Sequence, residues 1–598
     1  MADHTMVRRP LLQSPTDYLF AVALAAAATA LIGVWTVGQL AGLVFRGAWP
    51  HTRFGDTSAI LARLPGHLAD PRQAWPVAAQ PDLPGPAGFY TTAGVMLVLT
   101  TLGAIGTSRW LGDRRQHRGF ASPRQIRHAF GEKQVLARTA TMRPSISICT
   151  IGDVAVDLGR ALGRRLWLPI ATSVLLLAAP RQGKTSQVII PWLRAWPGAA
   201  LVTSVRRDVV LNTMTLRADR GPVAVMDLSG TRWPHPLRWS PTSDCERFDK
   251  ARLRADVMVQ VGKPEIGGAD STNAGFFGAT ATNLLAAWLH AAALTGRSMS
   301  DVLRWALDES DDEPIRLLAA APGAAPGVAA MLDTIYRSPV ETRSNMWTTV
   351  LTAVAPLLSD AARDVFCPEP GDSIDLEDVL TRRGTMYLLV DEKQAGDLAP
   401  LISAFVDELT VVARRFADRT TSGRIDPPLA LILDEVANVA PLPSLPALMS
   451  YAAGSGIFVV AVLQDIAQAR HRWGRDGADM LWGAATTKIA LGGLSGDELA
   501  EFSKLAGEYR ETVHSWTHNH RHGVTDQANL TDRKTLAPDR VRTLSEDRRQ
   551  ALVVHATTPA VLVSMVRHYE SENAADYARS VADTQTALTA HADAARRG

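Results

Sequence analysis

Residues Val174 to Ile190 read VLLLAAPRQGKTSQVII. An apolar run enters a turn of small and polar residues, passes through Gly183-Lys184-Thr185 and continues as a helical segment. This layout suits a phosphate-gripping loop, where backbone N–H groups and the positive end of a helix converge on phosphate oxygens. Gly183 lets the main chain approach closely, Lys184 would reach the β- and γ-phosphates of ATP, and the Thr185 hydroxyl would ligate Mg²⁺. The expected nucleotide-binding segment is Ala179, Pro180, Arg181, Gln182, Gly183, Lys184, Thr185 and Ser186. Ala178 stands where the first glycine of the G-x-x-x-x-G-K-[ST] pattern is usual, and its methyl is tolerable if the backbone there keeps a negative φ.

A Gly-Lys-Thr triplet arises by chance in many chains, so its surroundings carry the weight. Here it follows an apolar strand and precedes a helix, as the chemistry requires. A second apolar run, LALILDEVANV, ends in Asp434-Glu435. Acids at a strand end are common on any surface, yet this pair suits a Mg²⁺ ligand at Asp434 and a water-polarising base at Glu435. A third run, GIFVVAVLQD, ends in Gln464, which is placed to sense a γ-phosphate or orient water. A polar residue closing a strand explains Gln464 about as well.

Around these motifs, short apolar runs alternate with helical periods, including GAALVTSV, GPVAVMDLSG and TMYLLVDE. The alternation predicts an α/β domain with a mainly parallel sheet. Between Ser243 and Asp372 the strand signal vanishes, and ATNLLAAWLHAAAL, SMSDVLRWALDES and NMWTTVLTAVAPLL carry apolar residues at three- and four-residue steps. The fold expected is a RecA-like P-loop NTPase domain interrupted by an all-α insertion, preceded by two transmembrane helices. Its parts are residues 109–242 and 373–570 for the nucleotide-binding domain, 243–372 for the insertion, and 571–598 for an Ala-rich tail.

At the N-terminus, Tyr18–Phe45 runs about 28 residues without a charge and Gly88–Ser108 about 21, each enough to cross a hydrocarbon core. Buried helices or a signal peptide are the alternatives, but the first run is long for a signal core and a second span follows it. Arg8 and Arg9 before the first span and Arg109, Arg114, Arg115 and Arg118 after the second favour both termini in the cytoplasm. Residues 1–17 then form a cytoplasmic start, 46–87 an external loop, and nearly all the mass sits on the cytoplasmic side of the cell membrane. The net charge of +2 excludes a global basic field, so any nucleic-acid contact needs a local patch or several copies. The three cysteines, Cys149, Cys245 and Cys367, have no metal-like spacing.

In this order the motifs resemble the type IV coupling proteins, the TraG/TraD family of conjugative DNA-transfer ATPases, in what looks on composition like an actinobacterial type. The most specific segment is LDEVANVAPLPSLPALMSYAAGSGIFVVAVLQDIAQ, joined by VTSVRRDVV, LRWSP and RKTLAPDRVRTLSEDRRQALVVHATTPAVL. The resemblance implies a homo-hexameric motor at the membrane that uses ATP and Mg²⁺ to deliver single-stranded DNA, bound to its relaxase, to type IV secretion channel components. It also implies that the helical insertion helps to recognise the transferred complex. Three positions depart from the family pattern: Ala178 for glycine, Arg206 for a frequent lysine, and Ala453 where an arginine often precedes the Gly456-Ile457 turn. The last leaves Arg470 or Arg472 as replacements for a trans-acting arginine, or a slow ATPase.

Two other readings use the same residues. An FtsK-like duplex translocase shares the core, but the helical insertion and the lack of a basic winged-helix-like end favour the coupling protein. A weakly hydrolysing membrane adaptor that recruits protein substrates draws on Ala178 and Ala453. The cluster His514, His518, His520 and His522 lies in polar, aperiodic sequence and reads as a solvated loop ahead of a metal site.

Overall fold

The computed structural model describes residues 15–116, 118–231, 233–263, 272–519 and 523–597. Arg8 and Arg9, His520 and His522 lie outside the described residues. The chain divides into two units, Met1–Arg118 with Glu508–Arg533, and Gly119–Gly507 with Lys534–Gly598.

In the second unit the strands are β1 (Ala155–Ala161), β2 (Arg164–Pro169), β3 (Ser173–Leu177), β4 (Ala200–Ser204), β5 (Val223–Asp227), β6 (Thr385–Leu389), β7 (Leu429–Leu433), β8 (Ile457–Leu463) and β9 (Thr487–Ala490). A hairpin of the first unit supplies β10 (Glu508–Asn519) and β11 (Gly523–Lys534), and the second unit closes with β12 (Gln550–His555) and β13 (Thr558–Ser564). Among the described residues one eleven-stranded sheet runs β2-β1-β13-β12-β9-β3-β8-β7-β4-β6-β5. From β9 to β5 every neighbouring pair is parallel. The strands β12, β13, β1 and β2 extend it antiparallel.

β3, β4, β6, β7 and β8 are buried at every residue, which is why they read as unbroken apolar runs rather than as alternations. Their side chains still divide between two cores by the period of two. Leu175 and Leu177 pack with the long helix Ala395–Asp418 and with the helices between β5 and β6. Val174 and Leu176 pack on the other face with Trp192 and Trp196, where Trp196 stacks on Phe458 at 4.9 Å. Among the described residues the regular elements between β5 and β6 are all helices, from Phe248–Gly262 to Leu376–Thr381, and they share the first of these cores. The chain's last helix, Ala574–Arg597, buries Tyr577, Ser580 and Thr584.

His555 on β12 is buried, with Nδ1 2.8 Å from Thr487 Oγ1 and its ring against Phe130. Burial, with help from Arg138, pushes its imidazole down to about 4. The unfolded chain therefore takes up this proton first, so stability is complete above the ordinary histidine value of about 6.5 and is lost as pH falls from there towards 4. The window is worth roughly 3 kcal/mol by linkage. Denaturant midpoints recorded between pH 7 and 4 should be flatter in His555→Gln by about that amount, and parallel pH curves would remove His555 as a cause.

In the first unit, two helices, Pro15–Arg46 and Pro86–Gln116, contain stretches long and apolar enough to cross a membrane, Val22–Arg46 and Pro86–Thr107. Val22, Leu24 and Ile32 on one and Val95, Leu97, Val98 and Leu102 on the other are exposed apolar side chains. The segment between them folds into short helical turns with a core of its own around Trp75, which meets Phe89 edge-on at 5.0 Å. Gly38 makes room for that indole, since a Cβ there would lie 2.8 Å from Trp75 Nε1. In the histidine-rich segment, expected as a loop, His514 and His518 lie instead on β10, which joins β11 in a two-stranded sheet. A sequence polar at nearly every position has no apolar alternation to announce a strand.

Candidate functional site

Strands β3, β8 and β7 are adjacent and parallel, so their carboxyl ends lie side by side. The loop Ala178–Lys184 leaves β3, Asp434-Glu435 leaves β7 and Gln464 leaves β8, at the edge where open α/β sheets bind ligands. A cleft of about 660 Å³ opens there, lined by Pro180, Arg181, Gly183, Lys184, Thr185 and Ser186 together with Asp434, Glu435 and Gln464.

Ala178 belongs to the strand end and not to the turn. It is fully buried, and its N–H donates to Leu463 O at 3.1 Å, continuing the β3–β8 ladder. The left-handed residues of the loop are Arg181 at φ 64° and Gly183 at φ 82°. The positive φ is what favours glycine at 183, while a Cβ there would also lie 2.3 Å from the mobile end of Gln187, at Nε2. Ala179 and Gln182 do not line the cleft. They face the Gly492–Gly493 turn, where a Cβ on Gly493 would come 3.1 Å from Ala179 Cβ and one on Gly492 3.1 Å from Gln182 Oε1. The chain after the loop begins as a wide π-turn, Thr185–Ile189, before the α-helix Ile190–Ala195.

The three sequence motifs meet at Lys184. Its Nζ lies 3.0 Å from Asp434 Oδ1 and donates to Glu435 Oε1 at 3.1 Å. Burial works against the ammonium charge, but the two carboxylates outweigh it and hold Lys184 above its ordinary value. Burial raises the Asp434 carboxyl, against the pull of Lys184. The lysine is the better compensated partner, because it faces two carboxylates while Asp434 shares a single ammonium with Glu435. Thr203 Oγ1 fixes the strand end by donating to Asp434 O at 2.9 Å. Glu435 sits at φ 51°, a left-handed conformation that costs a non-glycine residue about 1–3 kcal/mol and recurs at functional turns.

The donor set fits a divalent cation alongside phosphates. Glu435 Oε2 is buried without a hydrogen-bond partner, and Asp434 Oδ1 has the Lys184 charge beside it but no well-aligned donor. Among the described residues no group of three or more His, Cys, Asp or Glu side chains is arranged to hold a metal alone.

Besides the phosphate loop, Asp434-Glu435 and Gln464, the cleft takes Arg206 and Asp208 after β4, Glu392 after β6 and Glu546, and the run Arg567-His568-Tyr569 after β13, which no quoted segment contains. Arg567 pairs with Glu546. His568 Nδ1 is 3.3 Å from Ser186 O, and burial lowers its pKa. A polar and aromatic run directly behind the apolar strand TPAVLVS was the available signal. Ala453 lies in the turn Ala452–Ser455 and brings no charge. Arg470 is paired with Asp497 at 2.6 Å, and Arg472 donates to Val261 O and Lys263 O at 2.6 and 2.9 Å. Arg424 is the arginine at that turn, donating to Gly454 O at 2.9 Å.

Residues 428–546 match the family model described as the TraM recognition site of TraD and TraG. Among solved structures, the chain is similar to the bacterial conjugative coupling protein TrwBdeltaN70 in its unbound form, with 17% identity, 72% of this chain and 91% of that chain covered, and a TM-score of 0.51. It is similar, at 18% identity, to the plasmid coupling protein TrwB in complex with the ATP analogue ADPNP, covering 67% of this chain and 87% of that one, with a TM-score of 0.50. The same values hold for TrwB in complex with ADP and Mg²⁺. No curated protein sequence matches the chain. The TraD/TraG match spans the strand that carries Asp434 and Glu435, and the α/β body around it shares its fold with TrwB.

Proposed function

We propose that this protein is a membrane-anchored ATPase of a conjugative type IV secretion system, which uses ATP hydrolysis to deliver relaxase-bound single-stranded DNA to the transfer channel. The observation that carries the reading is the convergence of Lys184, Asp434 and Glu435 in one cleft at the carboxyl edge of β3 and β7. TrwB, with which the chain shares its fold, has been solved with ADPNP and with ADP and Mg²⁺, and we carry nucleotide and cation to this cleft on that basis.

In this reading the backbone from Pro180 to Ser186 cradles the phosphates and Lys184 offers its charge to the β- and γ-phosphates. Thr185 and Asp434 hold Mg²⁺, which supplies neutralisation of phosphate charge. Glu435 accepts a proton from the attacking water through Oε2, the oxygen left without a partner. Gln464 orients that water from the end of β8. The helices Pro15–Arg46 and Pro86–Gln116 anchor the chain in the cell membrane at residues 18–45 and 88–108, with the α/β body in the cytoplasm. Residues 243–372 form an all-α insertion that recognises cargo, and six copies assemble into the motor.

The test is genetic and biochemical. Deleting the gene should abolish transfer of relaxase-linked DNA between cells, and Lys184→Ala should fail to restore it. Stimulation of ATP turnover by duplex DNA with none by single strands would point to a duplex translocase instead. Restored transfer with Lys184→Ala would sink the motor and leave an adaptor.

A further inference from the structure

The aromatic lining of the Lys184 cleft among the described residues is the adjacent pair His568–Tyr569. The pair belongs to the short turn His568–Glu570, between β13 and the last helix of the chain. The two rings differ in what they offer. His568 is 8% exposed and is gripped from both sides, with Nδ1 3.3 Å from Ser186 O and its ring edge-on to Tyr577 at 5.0 Å. Tyr569 is 53% exposed. Its ring stands edge-on to His568 at 5.0 Å and 83°, with the Arg567 guanidinium 5.9 Å from its centroid. Arg567 is itself tethered through Glu546.

The turn is thus held against the backbone of Ser186, the residue next to the phosphate loop's Thr185. A ligand whose phosphates lie on Gly183–Ser186 has its other end in the same cleft as Tyr569. An aromatic face left in water on such a mount is a stacking surface, and a purine ring offers a π-face to match it. A DNA base would need the same face, but the phosphate-gripping residues of this cleft select a nucleotide with a terminal polyphosphate.

We infer that Tyr569 is the nucleobase-stacking platform of this site, held in place by His568 and Arg567. The inference rests on the nucleotide reading proposed above and names the part of the site that grips the nucleoside rather than the phosphates. Base–aromatic stacking makes the ring worth about tenfold or more in affinity.

Calorimetric titration of the full-length protein in detergent with two probes, ADP and inorganic pyrophosphate, both with Mg²⁺, tests it. Tyr569→Ala should bind ADP about tenfold more weakly or worse, and pyrophosphate as the wild type does. Tyr569→Phe, which keeps the ring, should bind ADP normally. Unchanged ADP affinity in Tyr569→Ala overturns the platform, as does an equal loss of both probes, which would make the residue a support for the phosphate loop. A wild type that binds neither probe fails differently: it overturns the nucleotide reading itself and the platform with it.

Discussion

Glu435→Gln should leave nucleotide binding nearly intact and lower ATP turnover by roughly 10²–10⁴-fold, the usual worth of a positioned general base. That is about 3–5 kcal/mol of barrier. The amide has the shape of the carboxyl and can still accept from Lys184 Nζ through its oxygen, so the 3.1 Å contact survives. Asp434, 3.0 Å from the same ammonium, keeps the lysine in place. What the amide loses is the proton affinity of Oε2, the atom that the fold buries without a partner at a strained left-handed turn. Single-turnover hydrolysis and ADP titration on the same preparation separate the two effects. Turnover within a few-fold of wild type would remove Glu435 from the chemistry and make its strain purely architectural.

Arg217→Leu should destabilise the α/β body by about 3–5 kcal/mol, although the residue is far from any motif. Arg217, at the end of helix Asp208–Ala218, is fully buried. Its Nε donates to Thr385 Oγ1 at 2.8 Å, Nη1 to Trp196 O at 2.5 Å and Nη2 to Gly198 O at 2.7 Å. Burial pushes its pKa down to about 10, so the guanidinium stays charged at neutral pH. The planar fork joins β6, the end of the phosphate-loop helix and the turn into β4. Leucine would leave those acceptors buried and unpaired, each at a cost of about 1–3 kcal/mol. Lysine, a single point of donation, should recover only part of the loss. Urea denaturation measures it, and a change below about 1 kcal/mol would show that water or a local shift satisfies the carbonyls.

How much of this was legible in the sequence depends on burial. The central strands were readable because both faces are covered, so β3, β7 and β8 are continuous apolar runs with their polar motif residues stationed at the ends. Lys184, Asp434, Glu435 and Gln464 could therefore be placed at one edge, and they line one cleft. The β10–β11 ribbon was not readable, because strands with polar residues on both faces lack the alternation that marks a half-buried sheet. Nor was Arg567-His568-Tyr569, whose place beside Ser186 comes from the antiparallel strands that close the sheet. The missing glycine at Ala178 looked like a defect in the motif. In the folded chain that residue pairs with Leu463 in the strand ladder, and the left-handed work falls to Arg181 and Gly183. Ala453 is a real vacancy of charge at its turn, and Arg424 stands beside it.

In the function proposed above, the Lys184 cleft hydrolyses nucleotide in the service of DNA movement. The most direct measurement is steady-state ATP turnover by the full-length protein in detergent, with and without single-stranded DNA, alongside Lys184→Ala. Turnover should rise with single-stranded DNA in the wild type and be lost in the variant under both conditions. Equal turnover in the variant and the wild type would contradict that function.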